Sequence, residues 1–160
     1  MFREINGLPG HVLVIHAAVV FVPLLAVLAA AYGLLPRWRP RLGWAVAALA
    51  VATPIVTFVA TQSGEDLEQA LREKGYGPEV LQQVQEHSEY GDVLLWLTVG
   101  LAVAAILLLL ATRDDERVTR LPSWVSVLLT VLVLGLGAAS LVYVYLTGDS
   151  GAEAVWTGVL

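Results

Sequence analysis

Four long stretches of this chain carry no charged side chain, and that feature limits its possible folds more than any other. They fall at about Val12 to Leu35, Leu42 to Ala60, Val93 to Thr112 and Trp124 to Thr147. A helix of about 20 apolar residues crosses the roughly 30 Å hydrocarbon core of a bilayer. Lipid offers the backbone no hydrogen bonds, so a spanning segment must satisfy its own amides, as a helix does. The pattern predicts an all-α integral membrane four-helix bundle of up-down topology, one domain over residues 1–160. Composition agrees, with 58% hydrophobic and 14% charged residues, against about 25% charged in soluble domains. The apolar run from Leu8 to Leu35 is too long for a signal-peptide core and is expected to stay as the first span.

Charge orients the spans. The two short connectors, Pro36 to Arg41 and Arg113 to Arg120, hold six of the nine basic residues and three acidic ones, Asp114, Asp115 and Glu116. The other end holds Arg3, Arg72 and Lys74 with eleven acidic residues. Basic loops stay in the cytoplasm, so both termini are expected on the extracytoplasmic side of the plasma membrane. Trp38, Trp44 and Trp124 near one face, and Tyr143 and Tyr145 near the other, suit interfacial aromatic belts. The net charge of −5 gives nucleic acid no purchase.

The connector between spans two and three, Thr61 to Asp92, reads as two helices. Thr61-Gln62-Ser63-Gly64 is expected to end span two, with Ser63 capping a new helix that carries Glu65 and Asp66 in its first turn. Gly75 stops that helix, and Gly77-Pro78 starts another with proline in its first turn. Val80, Leu81, Val84 and His87 then recur at helical spacing, so His87 faces the bundle. Glu65, Glu68, Glu73, Glu79 and Glu86 read as a solvated face. In span four, Gly135, Gly137, Ala138, Ala139 and Ser140 remove bulk and let a neighbour approach.

Four antiparallel spans bring His11 and His16, Thr61-Gln62-Ser63, His87 with Glu89 and Asp92, and Thr147-Gly148-Asp149-Ser150 to one face. All three histidines of the chain converge there. An intramembrane histidine is a functional candidate, and His16 is the one such residue in a span. His11 and His16 lie about 140° apart on an ideal helix, so they reach one ion only if a turn at Pro9-Gly10 holds His11 ahead of the regular helix. Pro23 is expected to kink the helix below His16. Gly91, one turn after His87, leaves a flat gap in which a planar group could lie. His16 and His87 together are the pair a b-type haem in a bundle requires. For a transition-metal ion the donors are His11, His16 and His87, with Glu89 and Asp149 as further ligands. The competing reading is structural: an interfacial His11, and a hydrogen bond from His16 to Thr61 or Ser63.

The absence of cysteine excludes disulfides, iron–sulfur clusters, thiol nucleophiles and thioether-linked haem. No Gly-x-Ser-x-Gly, P-loop, His-Glu-x-x-His or dinucleotide fingerprint occurs, so no reaction is named.

The opening Gly7-Leu8-Pro9-Gly10-His11-Val12-Leu13-Val14-Ile15-His16, with Pro23 behind it, resembles the His-Pro-Leu-Leu-Val-His start of a bacterial membrane family catalogued as domain of unknown function 2231. His87-Ser88-Glu89-Tyr90-Gly91 is similar to its His-Glu-x-x-Gly, and Thr147-Gly148-Asp149-Ser150-Gly151-Ala152-Glu153-Ala154-Val155-Trp156 to its terminal Gly-His-Ser-Gly-Ala…Val-Trp. Asp149 stands where that family has histidine. The resemblance covers nearly the whole chain and implies a four-span membrane protein, without an activity.

The function expected is that of a small membrane protein with a haem b or transition-metal site near the extracytoplasmic face, serving electron transfer or metal handling. Its partners are then the lipid bilayer and a membrane redox partner or second copy of the chain. The alternative is a non-catalytic scaffold or accessory subunit whose polar cluster only holds the bundle together.

Overall fold

The computed structural model describes residues 10–112 and 122–156. The basic connector Arg113 to Arg120 and the opening residues through Pro9 lie outside them. Four helices follow one another, α1 (Gly10–Leu34), α2 (Arg39–Glu73), α3 (Pro78–Ala111) and α4 (Ser123–Trp156), with a 3₁₀ turn at Pro36–Trp38. Each packs against its neighbours in sequence and α4 closes back on α1, making the up-down bundle the sequence predicts. All four are long and apolar enough to cross a membrane.

The chain punctuates these helices with specific residues. At the arginine end, Pro36 cannot extend α1, and Arg39 donates from Nε to the Tyr32 carbonyl (3.2 Å) and from a terminal nitrogen to the Gly33 carbonyl (3.3 Å). Those acceptors are among the four carbonyls a helix C-terminus leaves without internal donors. At the other end α2 closes with Gly75 at φ +76°. The amide of Gly75 reaches the Arg72 carbonyl and that of Tyr76 the Leu71 carbonyl, at 3.1 and 3.3 Å, a pairing that needs a left-handed residue and therefore glycine. Pro78 opens α3 in its first turn, where the missing amide costs nothing.

The break expected at Thr61–Ser63 does not occur; α2 runs unbroken for 35 residues. The Ser63 hydroxyl donates to the Ala60 carbonyl (2.8 Å) and that of Thr61 to the Phe58 carbonyl (2.9 Å). Both fold back on their own helix instead of capping a new one. At the rise of about 1.5 Å per residue, α2 and α3 therefore stand several turns beyond their apolar stretches.

The core is Leu25, Ala26, Ala29, Tyr32, Val46, Ala50, Leu101, Ala102, Ala104, Ala105, Leu108 and Val133. Half of these are alanines, so the helices approach closely. The outward faces are equally apolar, as Val27, Val51, Ile55, Val103 and Val131 show by being more than half exposed. Lipid tails solvate such faces as well as a neighbouring helix would, so close packing, not water exclusion, holds the bundle. Two glycines fit against neighbouring helices within the apolar band: a Cβ on Gly33 would lie 2.7 Å from Thr130 Cγ2, and one on Gly137 3.5 Å from Ala26 Cβ.

Candidate functional site

At the end of the bundle opposite Arg37 and Arg39, all four helices contribute to one polar cluster. His11 comes from the first turn of α1, Ser63 and Gly64 from α2, His87 from α3, and Ser150 and Gly151 from α4. Its centre is a pair of imidazoles. The rings of His11 and His87 meet edge to face at 84° with centroids 6.2 Å apart.

Each ring is held by the same device. His11 Nδ1 lies 3.1 Å from the Ala60 carbonyl and 3.0 Å from Ser63 Oγ. A carbonyl can only accept, and Ser63 has given its proton to Ala60, so Nδ1 carries the hydrogen. His87 Nδ1 lies 3.1 Å from Ser150 Oγ, whose own proton goes to the Thr147 carbonyl at 3.2 Å. Nδ1 is the donor there too. In a neutral imidazole the other nitrogen then has a lone pair, and among the described residues neither Nε2 has a hydrogen bond.

Both histidines lie beyond the apolar stretches of their helices, and both stay neutral at pH 7. Burial pushes each below the usual histidine value of 6.5, and for His11 the neighbouring His87 adds to the effect. Backbone carbonyls, Ala60 for His11 and Thr147 for His87, pull the other way without reversing it. The cluster thus presents two neutral imidazoles with their basic nitrogens available.

Glycines make room for this arrangement. A Cβ on Gly151 would come within 2.9 Å of His87 Cε1, and one on Gly64 within 3.3 Å of His11 Cε1. At Gly91, the glycine singled out in the sequence, a Cβ would meet only Thr61 Cγ2 at 3.9 Å, so neither imidazole lies against it.

The expected site is partly redrawn. Helix α1 begins at Gly10, so His11 lies inside the regular helix and diverges from His16 around it. His11 turns into the bundle while His16 is exposed on its surface. The imidazole that meets His87 is therefore His11, and the Ser63 hydroxyl assigned to His16 holds His11. Glu89 and Asp149 are also exposed. Among the described residues no three His, Asp or Glu side chains gather where one ion could take them all. Sequence reasoning missed Gly64 and Gly151 as parts of the site. The signal available was their place immediately after Ser63 and Ser150, in the two segments already assigned to this face.

Residues 7–160 match a family model described as "Predicted membrane protein (DUF2231)". No curated protein and no solved structure matches the chain.

Proposed function

The chain belongs to the DUF2231 family of predicted membrane proteins, and from that premise we propose a metal-handling or redox role for the histidine cluster. It binds one transition-metal ion through Nε2 of His11 and of His87, at the extracytoplasmic end of the bundle. The observation that carries this reading is the matched fixing of both rings: each Nδ1–H is given to the protein, and each Nε2 keeps a lone pair. Metal-ligating histidines are oriented in that manner by partners on the other ring nitrogen. Ion–nitrogen distances of about 2 Å put the ring centres of two imidazoles on one ion roughly 5 to 6 Å apart, close to the 6.2 Å observed. Imidazole suits zinc, copper, nickel and iron. Two protein donors leave positions open for water, a small ligand or a partner's side chain, which suits an ion that is taken up and passed on.

A b-type haem is the weaker form of the same proposal. The rings touch edge to face and are pressed by Gly64 and Gly151, so a porphyrin between them would require them to part.

The test is purification in detergent, loading with copper or zinc, and metal analysis with a visible spectrum. About one ion per chain is expected, lost in His11→Asn and His87→Asn but kept in His16→Asn. Substoichiometric metal with no Soret band would remove both forms of the idea.

One observation favours a second, purely structural reading. His11–Ser63 ties α1 to α2 and His87–Ser150 ties α3 to α4, so the histidines also staple the bundle. Asparagine separates the two readings, because its amide can replace the Nδ1 donor but supplies no Nε2. Unchanged stability with lost metal supports the binding site; unchanged stability without metal in any form supports the staple.

A further inference from the structure

Below the histidine pair the bundle contains a second polar layer. Ser63 and Thr53 on α2, and Ser150 and Ser140 on α4, are each separated by ten residues; His87 and Thr98 on α3, and His11 and Val22 on α1, by eleven. All four helices therefore reach the same depth, about 15 Å below the cluster at 1.5 Å per residue. Val22, Thr53, Thr98 and Ser140 are all 0% exposed. Three of the four residues in this layer are hydroxyls, buried about 10 Å inside the apolar band by the same helical rise.

Two of these hydroxyls behave unlike the rest. In helices, serine and threonine usually return their proton to the carbonyl three or four residues back. Thr57, Thr61, Ser63, Ser88, Thr98, Thr112, Ser126, Thr130, Thr147 and Ser150 all do so. Thr53 and Ser140 do not. Their oxygens are enclosed and have no hydrogen-bond partner, although the same carbonyls are within reach of a rotation. A buried hydroxyl that declines its own helix is expected to serve another acceptor or donor.

We propose that Thr53 and Ser140 are water-binding residues, and that the upper half of the bundle is a hydrated shaft running from the histidine pair down to their layer. Between the two levels the buried side chains are Ala18 on α1, Thr57 and Ala60 on α2 and Leu94 on α3, with Gly91 on α3 and Thr147 on α4 half-buried. Beyond the layer the core turns to Leu25, Ala26, Ala50, Leu101, Ala102 and Val133, which offers water no partner and closes the shaft. Water is the ligand class because the layer contains hydroxyls and no charge. A metal cation at this depth would need an anionic partner. Buried water needs two to four polar partners, which hydroxyls and the back-bonded carbonyls beside them supply. The shaft is a property of the bundle interior and stands whether or not the histidines bind an ion.

The chain has no cysteine, so single thiols can report on hydration. Thr53→Cys and Ser140→Cys, in the full chain in detergent or liposomes, are to be treated with silver ion, which reaches thiols through water. Both are expected to react at least tenfold faster than Ala102→Cys and Val133→Cys. Rates equal to those of the deep controls overturn the proposal. Melting temperature gives a reading independent of thiols. Thr53→Val and Ser140→Ala should lower it or leave it unchanged if the hydroxyls hold water. A rise in both would show orphaned hydroxyls in a dry core, and would overturn the proposal as well.

Discussion

His11 and His87, 76 residues apart in sequence, face each other edge to face across the mouth of the bundle with their ring centroids 6.2 Å apart. Each ring bonds to a serine and lies against the glycine that follows it, Ser63 and Gly64 for His11, Ser150 and Gly151 for His87.

Glycine 151 is the more sensitive of the two. Gly151→Ala places a methyl group 2.9 Å from His87 Cε1, so the ring must move and its bond to Ser150 is lost. A loss of about 1 to 3 kcal/mol, typical of overpacking, is expected in detergent unfolding. Gly135→Ala, where nothing lies within 4 Å, should be neutral or mildly stabilising.

The arginine end offers an independent packing test. Gly33→Ala drives a Cβ to 2.7 Å from Thr130 Cγ2 and should cost about 1 to 3 kcal/mol. Adding Thr130→Ser removes the opposing methyl and should recover most of the loss in a double-mutant cycle.

Stability should depend on pH through the same histidines. Their values are lowered in the folded protein, so the unfolded chain takes up protons first as pH falls. Stability is then fully present above the unfolded value of 6.5, and is lost as pH drops through it toward the folded values. Melting temperature measured from about pH 8 down to about pH 5, spanning the ordinary histidine range, should fall below neutrality. The double variant His11→Asn with His87→Asn should flatten that slope; an unchanged slope would place its origin elsewhere.

Orientation can be read with one label on each side. Tyr76, exposed in the turn between α2 and α3, and Trp38, exposed between α1 and α2, lie at opposite ends. In a chain without cysteine, Tyr76→Cys should react with an impermeant maleimide on intact cells and Trp38→Cys only after lysis. The reverse result would place the histidine cluster in the cytoplasm.

The architecture was legible in the sequence because lipid imposes one rule on every spanning segment, and four uncharged stretches obey it. The punctuation at Gly75 and Gly77-Pro78 was legible because a left-handed residue and a missing amide have few other uses. Ser63 misled, since a serine ahead of acidic residues can cap a helix or bond back within one, and only the neighbouring helix decides. The histidine cluster was placed at the right end of the bundle by threading alone. Which imidazole meets His87 depended on where α1 begins, and one turn of helix around Gly10 exchanged His16 for His11. Thr53 and Ser140 could not be singled out beforehand, because a hydroxyl's choice between its own carbonyl and the interior is a matter of rotamer.

The unbroken course of α2 and α3 past the apolar band has a mechanical consequence. The protruding pair carries half of the histidine cluster: Ser63 belongs to α2 and His87 to α3, while their partners His11 and Ser150 belong to α1 and α4. A change in the tilt of α2 and α3 against α1 and α4 would therefore stretch both serine contacts at once.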